Sequence, residues 1–389
     1  MLTLKGDLLL NRYLKSITLW IALVVMLTSC LASKEPISSN TEVSQPITNS
    51  SEDNTTSNSD VPAVETETFE QKVDQMMADS KFSGSVLVVK NDQVILSKGY
   101  NMSDYSAKLA NGPDTIHQIG SLSKAFTAAA ILQLQEAGEL DLQDPVQNYI
   151  DYVPNKDVTL YHLLTHTSGI PNYTNSAAFL AFMDTAMTVE ELVDLFIELP
   201  LEFEPGSEFA YSNSGYVLLG AVIEKVSGLS YSDYLQQYLF EPLEMTRSGY
   251  LNKDNHTTNV ALGYMTANEE APVLAEPVDV SVAYAAGGIY STVEDLYKWT
   301  LGLENGTVLS EASWKAMRTP NLSQYGLGWG ISDPDQMFYN HAGQINGFSS
   351  FIGRDMNLGM EIIILSNDET APTGRLAELL FNMLKSEEV

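Results

Sequence analysis

Ile119-Gly120-Ser121-Leu122-Ser123-Lys124-Ala125-Phe126-Thr127 leads into Ala128, Ala129, Ala130, Ile131, Leu132, Leu134 and Ala137, and the run stops at Gly138. Small and apolar residues recur there at helical spacing, and Gly138 is a suitable C-terminal stop. Ser121 therefore falls at a helix N-terminus, on a turn made by Gly120. Lys124 follows one helical turn along the same face. A helix N-terminus offers free N–H groups and a dipole that favours negative charge beside a serine hydroxyl. A lysine buried next to that serine is able to lose its proton and accept the serine's. Alone, the pattern also fits a serine N-cap and an exposed helical lysine.

Two further stretches bear on that choice. Tyr211-Ser212-Asn213 follows Glu204-Pro205-Gly206 and precedes a helix, which places it on a turn. A tyrosine there serves as a general base if cationic neighbours lower its pKa, and Asn213 is able to bond a substrate amide. The plain alternative is a turn with Ser212 or Asn213 as N-cap. His341-Ala342-Gly343 lies just before an expected strand at Phe348. Its small residues let backbone approach a ligand closely. The N–H of Gln344 would then form an oxyanion hole with that of Ser121. A glycine-rich turn with an exposed histidine is the alternative.

The chain has 389 residues, 44% of them hydrophobic, and a formal net charge of −30. That length carries a large core. The charge argues against nucleic acid as a partner, because no basic surface dominates such a field. Lys5, Arg12 and Lys15 precede an apolar run from Ile17 to Leu27, which suits a signal h-region better than a bilayer span. Leu27-Thr28-Ser29-Cys30 then resembles a bacterial lipoprotein signal, and Cys30 is the only cysteine in the chain. Residues 1–29 are expected to be a leader and Cys30 the lipidated residue, anchoring a secreted protein at the cell envelope. Mass measurement of the mature N-terminus decides this. Cleavage would remove three basic residues and one acidic one, leaving −32. Residues 30–68, rich in Ser, Thr, Asn and Glu, read as a disordered tether.

Residues 69–389 read as the folded domain. Phe69, Val73, Met76 and Met77 begin a helix. Ser85–Val89 and Val94–Ser97 form a hairpin turning near Asn91-Asp92. Asp141–Ile150 is a short amphipathic stretch. Helices are expected over Val189–Leu199, with Thr188 and Glu191 as a capping box, and near Tyr216–Val226 and Tyr231–Phe240. Thr292 and Asp295 open another towards Trp299. Strands are expected at Gly326–Ile331, Phe348–Arg354 and Met360–Leu365, and a last helix at Arg375–Lys385. Strands at both ends with helices between them give an α/β chain of α+β type. Its antiparallel sheet is flanked by the N- and C-terminal helices and carries an inserted helical region, with the active cleft between the two.

Ser121/Lys124, Tyr211/Asn213 and His341/Gly343, in that order, resemble the three motifs of the serine β-lactamase and penicillin-binding protein superfamily. The likeness is greatest to its class C-like branch, which includes D-alanyl-D-alanine carboxypeptidases and related esterases. Leu163-Leu164-Thr165-His166-Thr167-Ser168-Gly169-Ile170 and Ala286-Gly287-Gly288 look like the family too. The resemblance implies a serine hydrolase that works through an acyl-enzyme on amide or ester bonds, without cofactor or metal. It implies Ser121 as nucleophile and Lys124 and Tyr211 as proton movers. It implies Asn213 on the substrate amide, Gly343 and Gln344 on the oxyanion side, and His341 supplying polarity or positive charge. The partner implied is a small-molecule or peptide substrate. A β-lactamase proper, or a sensor acylated without turnover, are the readings beside it. Two departures matter: His341 stands where typical β-lactamases have lysine, and Ala342 stands where many members have Thr or Ser. Both weaken binding of a substrate carboxylate and favour an ester or unusual amide.

Other catalytic patterns fit less well. His162 and His166 are spaced for one helix face, but Leu163 occupies the glutamate position of the zinc-protease motif, so packing histidines are expected. Ile95 occupies the place of the first glycine in Gly-x-Ser-x-Gly, which leaves Ser97-Lys98-Gly99 without that motif.

Overall fold

Thr68 accepts the Gln71 N–H and Gln71 reaches back to the Thr68 N–H, a capping box that starts helix α1 (Phe69–Asp79). The computed structural model describes residues 67–386, except 151–156, 177–178, 251–257, 269, 333–334 and 336. The expected leader, Cys30 and the tether up to residue 66 lie outside the described residues.

Strands β1 (Gly84–Lys90) and β2 (Gln93–Tyr100) form the expected hairpin. Asn91 and Asp92 both take positive φ, at 51° and 57°, as a two-residue turn of type I′ requires. Helix α2 (Ser123–Glu136) follows, with Gly138 at φ 75° just past its end. Helix α3 (Asn213–Ser227) and helix α4 (Val293–Glu304) belong to the middle of the chain. The C-terminal part supplies β3 (Gly330–Ile331), β4 (Phe338–Ile345), β5 (Phe348–Asp355), β6 (Met360–Ser366) and α5 (Thr373–Ser386). The sheet is antiparallel throughout, in the order β3-β4-β5-β6-β1-β2.

Side chains alternate across the central strands and feed two cores. Val86, Val88, Ile362 and Ile364 meet α1 and α5 on one face. Leu87, Val89, Ile363 and Leu365 meet the helical region on the other. The architecture expected from sequence is the one found. Helix α2 is enclosed: every residue from Ser123 to Leu132 is buried. This explains why its sequence is small and apolar all round rather than amphipathic.

Three boundaries differ from expectation. Only Gly330–Ile331 of the expected Gly326–Ile331 strand pairs, because Gly326 bonds back to Trp329 in a turn and Gly328 takes φ 79°. The helix expected over Val189–Leu199 is α-helical only to Asp194 and then tightens into turns. The third concerns the site: His341-Ala342-Gly343 lies within β4 rather than in a turn before Phe348.

Candidate active site

Gly120 adopts φ 52° and starts a single 3-10 turn (Gly120–Leu122) that runs into α2. A Cβ on Gly120 would sit 2.8–2.9 Å from the backbone O, C and N of Gln344. A Cβ on Gly343 would meet the Ile119 carbonyl oxygen at 2.1 Å. Only glycine at both positions lets β4 press against the turn that presents Ser121. The register fixes which way β4 points its peptide groups. Ser332 N–H donates to Phe338 O at 3.1 Å, and Asn340 pairs with Gly330. Peptide groups alternate in an antiparallel strand, so those of Ala342 and Gln344 face the same edge, beyond the end of β3. The N–H of Gln344 is thereby turned towards Gly120 and Ser121.

Lys124 is fully buried. Its Nζ lies 2.7 Å from Asn213 Oδ1, 2.8 Å from the Ala286 carbonyl and 3.2 Å from Ser121 Oγ. Among the described residues it makes no ion pair with a carboxylate. Burial without a counter-charge pushes its pKa far down from the usual lysine value. A neutral amine has two protons and one lone pair. Asn213 and Ala286 offer only acceptors and take the two protons, so the lone pair is left for the Ser121 hydroxyl. The local sequence arranges this cage. A break at Tyr284 (φ 40°, ψ −133°) within Val280–Gly287 turns the Ala285 and Ala286 carbonyls towards Thr127 Oγ1 and Lys124 Nζ. Asn172 Oδ1 accepts the Asn213 N–H at 3.1 Å, and Asn213 Nδ2 donates to Thr174 Oγ1 at 3.1 Å.

Tyr211 stands over this cage, its ring centroid 4.8 Å from Lys124 Nζ. The ring is about a third exposed, whereas its hydroxyl end is enclosed and faces Ser121. Burial raises the Tyr211 pKa, and the Ser121 contact pulls the other way without reversing it. The condition for Tyr211 to act as a base, a pKa lowered by cationic neighbours, is not met here. The lysine beside Tyr211 is itself neutral and has no charge to lend.

His341 is buried, and of the polarity or positive charge expected of it burial favours the neutral, polar form. Burial lowers its pKa to about 4. Nδ1 lies 2.6 Å from the Ala342 carbonyl and Nε2 lies 3.0 Å from the Tyr325 hydroxyl. The carbonyl only accepts, so Nδ1 carries the proton and Nε2 accepts from Tyr325. Among the described residues the arginines have other contacts. Arg247 pairs with Asp114, Arg375 with Glu378, and Arg354 with Glu304, Glu361 and Asp92, while Arg318 lies over the Trp314 ring.

The structure thus brings Ser121, Lys124, Tyr211, Asn213, Gly343 and Gln344 to one place, with His341 beside it. Sequence reasoning missed Asn172, Thr174, the Ala286 carbonyl and Tyr325. His162 and His166 do not converge on a shared ligand position. His162 Nδ1 accepts the Thr159 N–H within its own helix cap, and His166 Nδ1 accepts the Ser212 N–H.

The family model described as Beta-lactamase matches residues 69–382. The chain belongs to the beta-lactamase family. A Bacillus subtilis (strain 168) protein, provisionally named penicillin-binding protein PbpX, is 31% identical over 321 residues, covering 82% of this chain and 79% of that protein. The crystal structure of a penicillin-binding protein from Bacillus halodurans superposes with TM-score 0.72 at 29% identity, covering 81% of this chain and 98% of that one. D-amino acid amidase from Ochrobactrum anthropi SV3, solved with L-phenylalanine amide, superposes with TM-score 0.71 at 25% identity, covering 82% and 98%.

Proposed function

We propose that this beta-lactamase-family protein hydrolyses D-amino-acid amides or esters through an acyl-enzyme on Ser121. The observation that carries the reading is Lys124, buried without a carboxylate and with its two protons committed to Asn213 and Ala286. Ser121 Oγ gives its proton to the Lys124 lone pair as it attacks the carbonyl carbon. The oxyanion that forms lies between the N–H groups of Ser121 and Gln344. Tyr211 stays a neutral phenol. It passes its own proton to the leaving nitrogen or oxygen and takes the one held on Lys124, and the acyl group is then released by water along the same path in reverse. Lys124 and Tyr211 titrate as one coupled unit.

Substrate choice follows from β4. His341 is neutral and Ala342 has no hydroxyl, so a substrate carboxylate would find neither a cation nor a side-chain donor there. This favours esters and amides with uncharged leaving groups over β-lactams. The name of the amidase relative supports the same class. The test measures kcat/KM for a p-nitrophenyl ester, a D-amino-acid amide, a D-Ala-D-Ala peptide and a chromogenic cephalosporin. Ester or amide should exceed the cephalosporin by about tenfold or more, the worth of one hydrogen bond to a charged group. Faster cephalosporin turnover would make the protein a β-lactamase. A stoichiometric burst with no turnover would make it an acylated sensor.

A further inference from the structure

His166 encloses Tyr211 from three directions. Its carbonyl accepts the Ala210 N–H at 2.9 Å, and its Nδ1 accepts the Ser212 N–H at 3.1 Å. Its ring lies 4.2 Å from the Tyr211 ring, tilted by 37°. The residues on either side of Tyr211 are thus tied to one residue, and the tyrosine ring rests on that residue's ring. His166 takes φ 57°, a left-handed conformation that costs energy for a side chain of this size. That conformation lets one residue present its carbonyl and its ring nitrogen to the same short segment.

The chemistry of the ring is equally constrained. Nδ1 must be bare to accept the Ser212 N–H, which puts the ring proton on Nε2. His166 is 1% exposed, and Nε2 has no hydrogen-bond partner among the described residues. Burial lowers its pKa far below the ordinary histidine value. Around it stand Lys124, His341, Tyr211, Tyr216 and Tyr325. Packing alone would be served by phenylalanine, which leaves no polar nitrogen unpaired. Histidine is needed for the acceptor at Nδ1, and the unpaired Nε2–H is a cost of having it.

We infer that His166 is the positioning residue for Tyr211, holding its hydroxyl over Ser121 and Lys124 and keeping water from Lys124. This rests on the proposed role of Tyr211. Two variants separate the contacts. His166→Phe keeps a ring and loses the acceptor. His166→Asn keeps an acceptor near the Nδ1 position and tolerates positive φ, but loses the ring. Each is made in the wild-type chain and in Tyr211→Phe, and kcat and KM are measured on a p-nitrophenyl ester against pH.

With wild-type Tyr211, H166F should lower kcat about thirtyfold with little change in KM, and H166N should recover about tenfold of that. In Y211F the H166F substitution should cost less than about threefold, because the two act as one unit. The acid limb of kcat/KM should also move to higher pH in H166N, since without the ring water reaches Lys124 and restores part of its usual basicity. Equal losses in both backgrounds, H166N no better than H166F, or an unmoved acid limb would overturn the inference. If H166F does not fold, the H166N losses in the two backgrounds supply the same comparison. Full activity in Y211F would instead remove the role of Tyr211, and this inference with it.

Discussion

Lys124 and Arg354 are both buried basic side chains in the same domain, and their surroundings are opposite. Lys124 meets an amide oxygen, a backbone carbonyl and a hydroxyl. Arg354, 3% exposed, meets Glu304 at 2.5 and 2.7 Å, Asp92 at 2.9 Å and Glu361 at 3.2 Å. Burial alone would lower both pKa values. For Arg354, the bonds and charge of Glu304 outweigh burial and hold the guanidinium protonated. For Lys124 nothing opposes burial, which favours the neutral amine. The difference separates a base from a strut. A buried cation with carboxylates ties β5 to α4 and β6, whereas one with only neutral acceptors is free to take a proton from a serine.

The largest expected effect comes from breaking the strut. Arg354→Met leaves Glu304 and Glu361 facing each other in the interior, and removing one partner of a buried pair costs about 3–5 kcal/mol. The sign with pH is fixed. Burial already raises Glu361 to about 8, and losing Arg354 raises it further. Between the unfolded carboxyl value and that raised value the folded state binds more protons, so stability falls as pH rises. Denaturant unfolding should show R354M less stable than wild type from pH 5 to pH 8, with the deficit widening above about pH 8, where only the wild-type Glu361 loses its proton, and kcat per folded molecule little changed. A deficit that shrinks above about pH 8 would mean the cluster does not hold unpaired carboxylates.

The two regions were not equally legible from sequence. Ser121 and Lys124 share one helical turn, so local spacing alone puts them together. Tyr211 and Asn213 were legible because the turn before α3 is marked by Glu204-Pro205-Gly206. The β4 strand was not. Its buried positions hold Tyr339, His341 and Gly343 rather than an apolar series, because Gly343 must sit against Ile119 and His341 must reach Tyr325. Site geometry replaced the period-two pattern that marks a strand. The Ala286 carbonyl has no side-chain signature at all. Arg354 and its carboxylates lie far apart in the chain, and only folding joins them. His166 lay inside a stretch that resembles the family, and the only residue-level expectation it carried was packing under a loop.

The comparison sharpens if Lys124 is given what Arg354 has. Asn213→Asp replaces the 2.7 Å amide acceptor by a carboxylate of the same shape. An adjacent negative charge favours the protonated amine, so the Lys124 pKa rises. The base must be neutral to act, so activity lost at a given pH returns as pH increases. Hydrolysis of an ester should fall about tenfold or more at neutral pH, and the acid limb of kcat/KM should move to higher pH. An acid limb in its wild-type place would show that Lys124 is not the group whose deprotonation controls the rate.

The smallest effect lies at the sheet edge, and it tests substrate choice rather than catalysis. Ala342 is exposed on β4, on the opposite face from the buried His341 and Gly343. The position is exposed and a β-branched residue suits a strand, so Ala342→Thr should fold normally. The added hydroxyl is able to donate to a carboxylate lying along this edge. A hydrogen bond to a charged group contributes about 1.5–3 kcal/mol, and partial exposure puts the expected gain near the lower end, about tenfold. His341 stays neutral in this variant, because its burial and its bond to Tyr325 are unchanged, so the hydroxyl works without help from a cation. The quantity to measure is the ratio of kcat/KM for a chromogenic cephalosporin to that for an ester, in wild type and A342T. A rise in the ratio of about tenfold supports the reading of β4. An unchanged ratio would show that substrate carboxylates do not lie at this edge, and the preference for uncharged leaving groups would then need another cause.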